Sequence, residues 1–177
     1  MKTLKDKIGA VTGAASGIGR ATAVALAKQG CHVALADLNT DALAHTANEC
    51  RALGVKSNAT KLDVFSRAAF EAWAADTVRE FGQANVIVNN AGVGLGATVE
   101  AMTYEDFEWL MNINFWGVVY GTKSFLPYLK QSGDGHVVNI SSVAGIIGVP
   151  AMSAYAAAKF AVRGFTESLR EEMDIEG

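Results

Sequence analysis

Proline is almost absent: the 177 residues hold two, Pro127 and Pro150, and neither is followed by glycine. No linker, low-complexity tract or internal repeat interrupts the chain, so a single domain over residues 1–177 is expected, large enough to bury a core without staples. Cysteine is equally scarce. Cys31 and Cys50 match no metal or redox spacing and are too few for a disulfide framework, so they read as buried or free thiols in a reducing cytosol. The three histidines, His32, His45 and His136, show no spacing suited to a metal or a catalytic base. No apolar segment reaches membrane-spanning length, and the Met1–Lys7 start leads only into a short apolar strand without a signal-peptide core. A cytoplasmic protein without a membrane partner is therefore expected. Only 19% of residues are charged, the net charge is −3, and Lys and Arg are scattered, which leaves no nucleic-acid footprint.

What the chain has is apolar residues (50%) and 18 glycines, arranged in a regular rhythm. Apolar runs at Ile8–Thr12, His32–Ala36, Val55–Leu62, Val86–Val88 and His136–Ser141 read as strands. Helical patterns separate them at Arg20–Gln29, Thr40–Leu53 and Ser66–Phe81, then from Thr103 to about Lys130, with Pro127 a possible kink or early end. A last helix runs from Ser153 toward Asp174, and Trp73, Val78 and Phe81 read as core. Strand alternating with helix predicts an α/β fold, a Rossmann-type doubly wound parallel sheet with helices on both faces.

The first strand runs into Gly13-Ala14-Ala15-Ser16-Gly17-Ile18-Gly19 and then a helix. Glycines allow backbone N–H groups close to a pyrophosphate, and a helix N-terminus supplies partial positive charge. The second strand ends at Asp37, eighteen residues after Gly19, where a dinucleotide-binding unit places the acid that hydrogen-bonds the adenosine ribose. Its charge also repels a 2′-phosphate. Neither Ser16 nor Leu38 offers the cation that NADP calls for, so NAD is favoured.

Ser142 follows the fifth apolar run, and thirteen residues later comes Tyr155-Ala-Ala-Ala-Lys159. Four residues apart on a helix share a face. A free phenol has a pKa of about 10, and a fixed ammonium nearby favours phenolate, which makes the pair a candidate proton relay. Ser142 could donate to a substrate oxygen on which charge develops. A Tyr-x-x-x-Lys pair alone is common on surface helices. Asn114, a polar residue among apolar neighbours, is open to a structural role as a satisfied core amide. The segment Val143–Met152 could line a pocket for a nonpolar substrate or pack under the sheet.

Taken together, Thr12-Gly-x-x-x-Gly17-Ile-Gly19, Asn90-Ala91-Gly92, Asn114, Ser142 and Tyr155-x-x-x-Lys159 resemble the short-chain dehydrogenase/reductase family in its simple single-domain branch, over essentially all 177 residues. The resemblance implies Tyr155 as acid/base, Ser142 holding the substrate oxygen, and Lys159 lowering the phenol pKa and binding the nicotinamide ribose. It implies that Asn114 helps hold a water linking Lys159 to solvent. It also implies cofactor contacts: Gly13, Ser16, Gly17, Ile18 and Gly19 at the pyrophosphate, Asp37 and Leu38 at the ribose, and Asp63 with Val64 at the adenine. Asn90, Ala91, Gly92 and Ile113 would lie along the rest.

The departure lies at the end. The family normally continues through a sixth strand with a Pro-Gly motif, a substrate loop and a seventh strand. Here the sequence stops within the last helix, and an unpaired sheet edge with uncovered apolar surface is expected. The expected activity is NAD-dependent interconversion of a secondary alcohol and a ketone, on a fairly apolar small molecule, with no metal and in a homo-oligomer. The alternative is a truncated, catalytically silent dinucleotide-binding or partner-binding module.

Overall fold

The computed structural model describes residues 1–176. Five strands, β1 (Ile8–Thr12), β2 (His32–Asp37), β3 (Ser57–Lys61), β4 (Val86–Asn89) and β5 (His136–Asn139), form one parallel sheet in the order β3-β2-β1-β4-β5. Parallel neighbours need crossovers, which here are the helices α1 (Gly17–Lys28), α2 (Thr40–Ala52), α3 (Arg67–Phe81), α4 (Tyr104–Met111) with α5 (Gly117–Gln131), and lastly α6 (Ser153–Glu176) follows β5. The doubly wound arrangement expected from the sequence is the one formed.

Strand side chains alternate between faces, and the two faces have separate cores. Val11, Val33, Leu35 and Val88 meet Ala23 and Ala27 of α1 and Leu43, Ala47 and Cys50 of α2. Ala10, Ala34, Ala36 and Ile87 meet Phe70 and Trp73 of α3 and Phe125 and Leu129 of α5. The small alanines on that face leave room for the rings, and Trp73 stands edge-on to Phe125 at 5.1 Å between centroids. Both cysteines are buried free thiols, and burial raises the Cys31 pKa to about 11. Among the described residues no helix is long and apolar enough to cross a membrane.

Several boundaries differ from the sequence reading. Helix α2 ends at Ala52, one residue before Leu53, and Asn39 caps its start by accepting from Ala42 N–H at 3.1 Å. The third strand is shorter than Val55–Leu62 because it pairs on one side only, with β2 over Val33–Asp37. Strand β5 stops at Asn139, and Ser142 begins a 3-10 turn, Val143–Gly145, accepting from Ala144 N–H at 3.2 Å. The helix expected over 103–130 carries a five-residue π-helical turn, Asn112–Trp116, between α4 and α5. Pro127 lies inside α5 without ending it, and α6 extends past Asp174 to Glu176.

Candidate active site

In this order the winding of successive strands switches from one side of β1 to the other between β1 and β4, and the crevice at the C-terminal ends of those strands is where a doubly wound sheet accepts ligands. Thr12 closes β1 there. Its buried hydroxyl donates to Val88 C=O (3.4 Å) and accepts from the N–H groups of Asn90 (2.9 Å) and Ala91 (3.1 Å). The Asn90 amide in turn donates to Thr12 C=O at 3.0 Å and Gly13 C=O at 3.3 Å. Two strand ends 78 residues apart are thereby held as one floor.

Above the floor lies a cavity of about 960 Å³. Gly13, Ser16, Gly17 and Ile18 line one end, with Asp37, Leu38, Asp63 and Val64 alongside, and Asn90, Ala91, Gly92 and Ile113 line the middle. Ser142, Tyr155 and Lys159 line it as well. The structure thus brings together every sequence-predicted site residue except Gly19 and Asn114, which sit behind the wall. A Cβ on Gly19 would lie 2.0 Å from Gly13 C=O, so this glycine lets α1 press against the turn. Gly13 has φ +64°, and a Cβ there would lie 2.8 Å from Asn90 Nδ2.

The Asp37 carboxylate spans the turn: one oxygen accepts from Ala15 N–H at 3.0 Å and the other from Asn39 N–H at 2.9 Å. Asn114, fully buried in the π-helical turn, clasps the backbone of Val93. Its Oδ1 accepts from Val93 N–H and its Nδ2 donates to Val93 C=O, both at 2.8 Å. The side chain is thus the satisfied amide, and it fixes the Gly92–Gly94 segment of the cavity wall.

Lys159 is 4% exposed, and burial lowers its pKa below the ordinary lysine value. Its Nζ donates to Ile140 C=O at 2.8 Å and lies 5.7 Å from the centre of the Tyr155 ring, leaving two further N–H donors. Ser142 Oγ uses a lone pair on Ala144 N–H, which leaves its O–H free to donate. Val143, Ile146 and Ile147 are exposed (67%, 62% and 55%), so this segment does not pack under the sheet. It follows Ser142 as an apolar stretch that returns through Met152, which lines the cavity. His32 accepts from Lys56 N–H through Nδ1, while His45 and His136 are exposed, all away from the cavity.

Leu62, Val93, Gly94, Ile140 and Ser141 also line the cavity without having been singled out from the sequence. Ser141 had a signal, its place beside Ser142. The others carry no mark that separates them from core residues.

A family profile described as short chain dehydrogenase matches residues 7–177. The chain belongs to the short-chain dehydrogenase family. Among its relatives, SadH of Mycobacterium tuberculosis is 49% identical over 173 residues, 98% of this chain and 63% of that protein. The 3-oxoacyl-acyl-carrier-protein reductase FabG of Thermotoga maritima is 35% identical over 170 residues, 96% of this chain and 69% of that protein. A short-chain dehydrogenase/reductase from Burkholderia phymatum solved in complex with NAD superposes with a TM-score of 0.96 at 35% identity, over all of this chain and 63% of that one. NAD-bound xylitol dehydrogenase gives 0.94 at 34% identity, over 98% of this chain and 67% of that one. The chain spans 63% of the length of the SadH relative.

Proposed function

We propose that this chain carries the cofactor-binding and proton-handling parts of an NAD-dependent oxidoreductase that interconverts a secondary alcohol and a ketone. The observation that carries this reading is the single cavity that holds the glycine turn and Asp37 together with Ser142, Tyr155 and Lys159. The fit to a dinucleotide rests on the same cavity. Space is open above Gly17, where an added Cβ would meet nothing within 4 Å, and the N-terminus of α1 faces that space. Asp37 keeps lone pairs for a ribose hydroxyl and repels a 2′-phosphate, which favours NAD over NADP.

The nicotinamide, when bound, supplies the hydride exchange at the substrate carbon. In the reducing direction Tyr155 gives its phenolic proton to the carbonyl oxygen, and in the oxidising direction it takes that proton back. Ser142 O–H holds the same oxygen as its charge changes. The Lys159 ammonium lines the cavity beside the Tyr155 ring and has two further donors for the nicotinamide ribose. The exposed Val143, Ile146 and Ile147 suit a substrate with an apolar flank. Self-association belongs to this reading too, through the exposed aromatic residues of the π-helical turn and of α4 and α6.

Titrating the chain with NADH and NADPH tests it, read by energy transfer from Trp73, Trp109 and Trp116, followed by turnover of secondary alcohols. NADH saturates at lower concentration than NADPH, and Tyr155→Phe lowers turnover by roughly 10²- to 10⁴-fold with NADH binding kept. Binding without turnover on a broad panel would select the silent module, and no binding of either nucleotide would remove the cofactor assignment.

A further inference from the structure

Three consecutive residues at the exit of β5 each hydrogen-bond α6. The Asn139 amide donates to Thr166 Oγ1 at 2.9 Å, Ile140 C=O accepts from Lys159 Nζ at 2.8 Å, and Ser141 Oγ donates to Lys159 C=O at 3.1 Å. Positions 155, 159, 162 and 166 fall on one stripe of a helix, and Thr166 Oγ1 also donates to Val162 C=O at 2.7 Å. As the strand exit runs forward from Asn139 to Ser141, its partners on α6 run backward from Thr166 to Lys159. Two bonds read in opposite directions along two elements define one register between them. A slip of one helical turn, about 5.4 Å, would break both.

The joint is also tight and anchored. A Cβ on Gly145 would lie 2.5 Å from Ser141 Oγ and 2.8 Å from Lys159 C=O, so the turn after Ser142 presses on the same point of α6. On its other side Asn139 Oδ1 accepts from Asn89 Nδ2 at 2.8 Å, and Asn89 Nδ2 also donates to Thr122 Oγ1 of α5 at 3.1 Å. Four elements, α5, β4, β5 and α6, are thus linked by one side-chain chain. Asn89 Oδ1 in that chain is buried without a partner among the described residues, a cost that apolar side chains would avoid.

We propose that Asn139, Ser141 and Thr166 are positioning residues: a two-point clamp that sets α6 against the strand exit and thereby fixes Tyr155 and Lys159 relative to Ser142. The proposal rests on the reading of the cavity as a hydride-transfer site. None of the three needs to touch a substrate. Their effect is exerted through the placement of the phenol and the ammonium, where a displacement of about 1 Å can change a rate about 100-fold.

The test compares the parent chain with Thr166→Val, which removes the hydroxyl away from the cavity, and with Thr166→Ser, which keeps it. Lys159 is followed by NMR in lysine-labelled protein, its resonance assigned with Lys159→Arg. Tyr155 is the ionisable group beside it, and burial is what lowers the Lys159 pKa. With circular dichroism unchanged, Thr166→Val moves the Lys159 titration up toward the ordinary lysine value and Thr166→Ser returns it to the parent's. In turnover, Thr166→Val lowers kcat about 10- to 100-fold with KM for the alcohol little changed. An unchanged Lys159 titration in folded Thr166→Val overturns the clamp. Should that variant fail to fold, Ser141→Ala breaks the other point and is judged by the same titration. Absence of NADH binding by the parent would remove the functional reading while the Lys159 result still decides the clamp.

Discussion

Lys159 is held in a place that disfavours its charge. Its ammonium is buried, has one backbone acceptor, and its pKa is depressed from the ordinary value of 10.5. The unfolded chain therefore binds this proton more tightly than the folded one. Stability rises with pH between the depressed folded value and about 10.5, and below that window the full penalty is present. Urea midpoints measured across this range should climb for the parent relative to Lys159→Met, which has no such group. A flat difference between the two would mean that the ammonium is not desolvated. Such a penalty is what a site residue tolerates and a core residue does not. The sequence marked this lysine through its spacing from Tyr155. It could not mark Asn139 or Thr166, because the partners of Asn139 lie 27 and 50 residues away and single polar residues leave no periodic trace.

Among the elements, the β1–α1 unit is packed with close tolerance. A methyl group on Gly19 would overlap Gly13 C=O, so Gly19→Ala must either lift α1 or distort the turn. We expect it to destabilise the chain by about 1–3 kcal/mol, read from urea midpoints, and to weaken NADH binding at the same time. Unaltered binding would separate the helix–turn contact from the cofactor site. This unit was legible in advance, since glycine is the residue type that close approach demands. The π-helical turn was not. A shift from four-residue to five-residue spacing of backbone bonds draws on the same helix-favouring residues, so the residue pattern does not mark it. Strand β5 was overextended for a related reason: Ile140 N–H still donates to Asn89 C=O at 3.0 Å, and the apolar pattern carries on into residues that have already left the sheet.

For the molecule as a whole, the apolar surface is the open account. Trp109 and Trp116 are 46% and 44% exposed, Trp116 stacks on Tyr120, and Phe107 and Phe160 are exposed on α4 and α6. Strand β5 is an edge of the sheet, with Val138 exposed, whereas the other edge, β3, carries Lys61. Surfaces of this kind drive association. Sedimentation at micromolar concentration should give species heavier than the 18.6 kDa chain. Trp116→Glu should reduce them if the helical face is responsible, and Val138→Lys if the strand edge is. A single 18.6 kDa species at every concentration would exclude self-association.

The Asp37 carboxylate has a further meaning at this scale. Its two bonds, to Ala15 N–H and Asn39 N–H, set its rotamer when the chain folds. A hydroxyl that meets its remaining lone pairs meets an acceptor already aimed, so little orientational freedom is lost on association. On the proposed NAD reading, selectivity at that end of the cavity is set by the folded chain before any ligand arrives, and it should survive in fragments of a nucleotide as small as the ribose half.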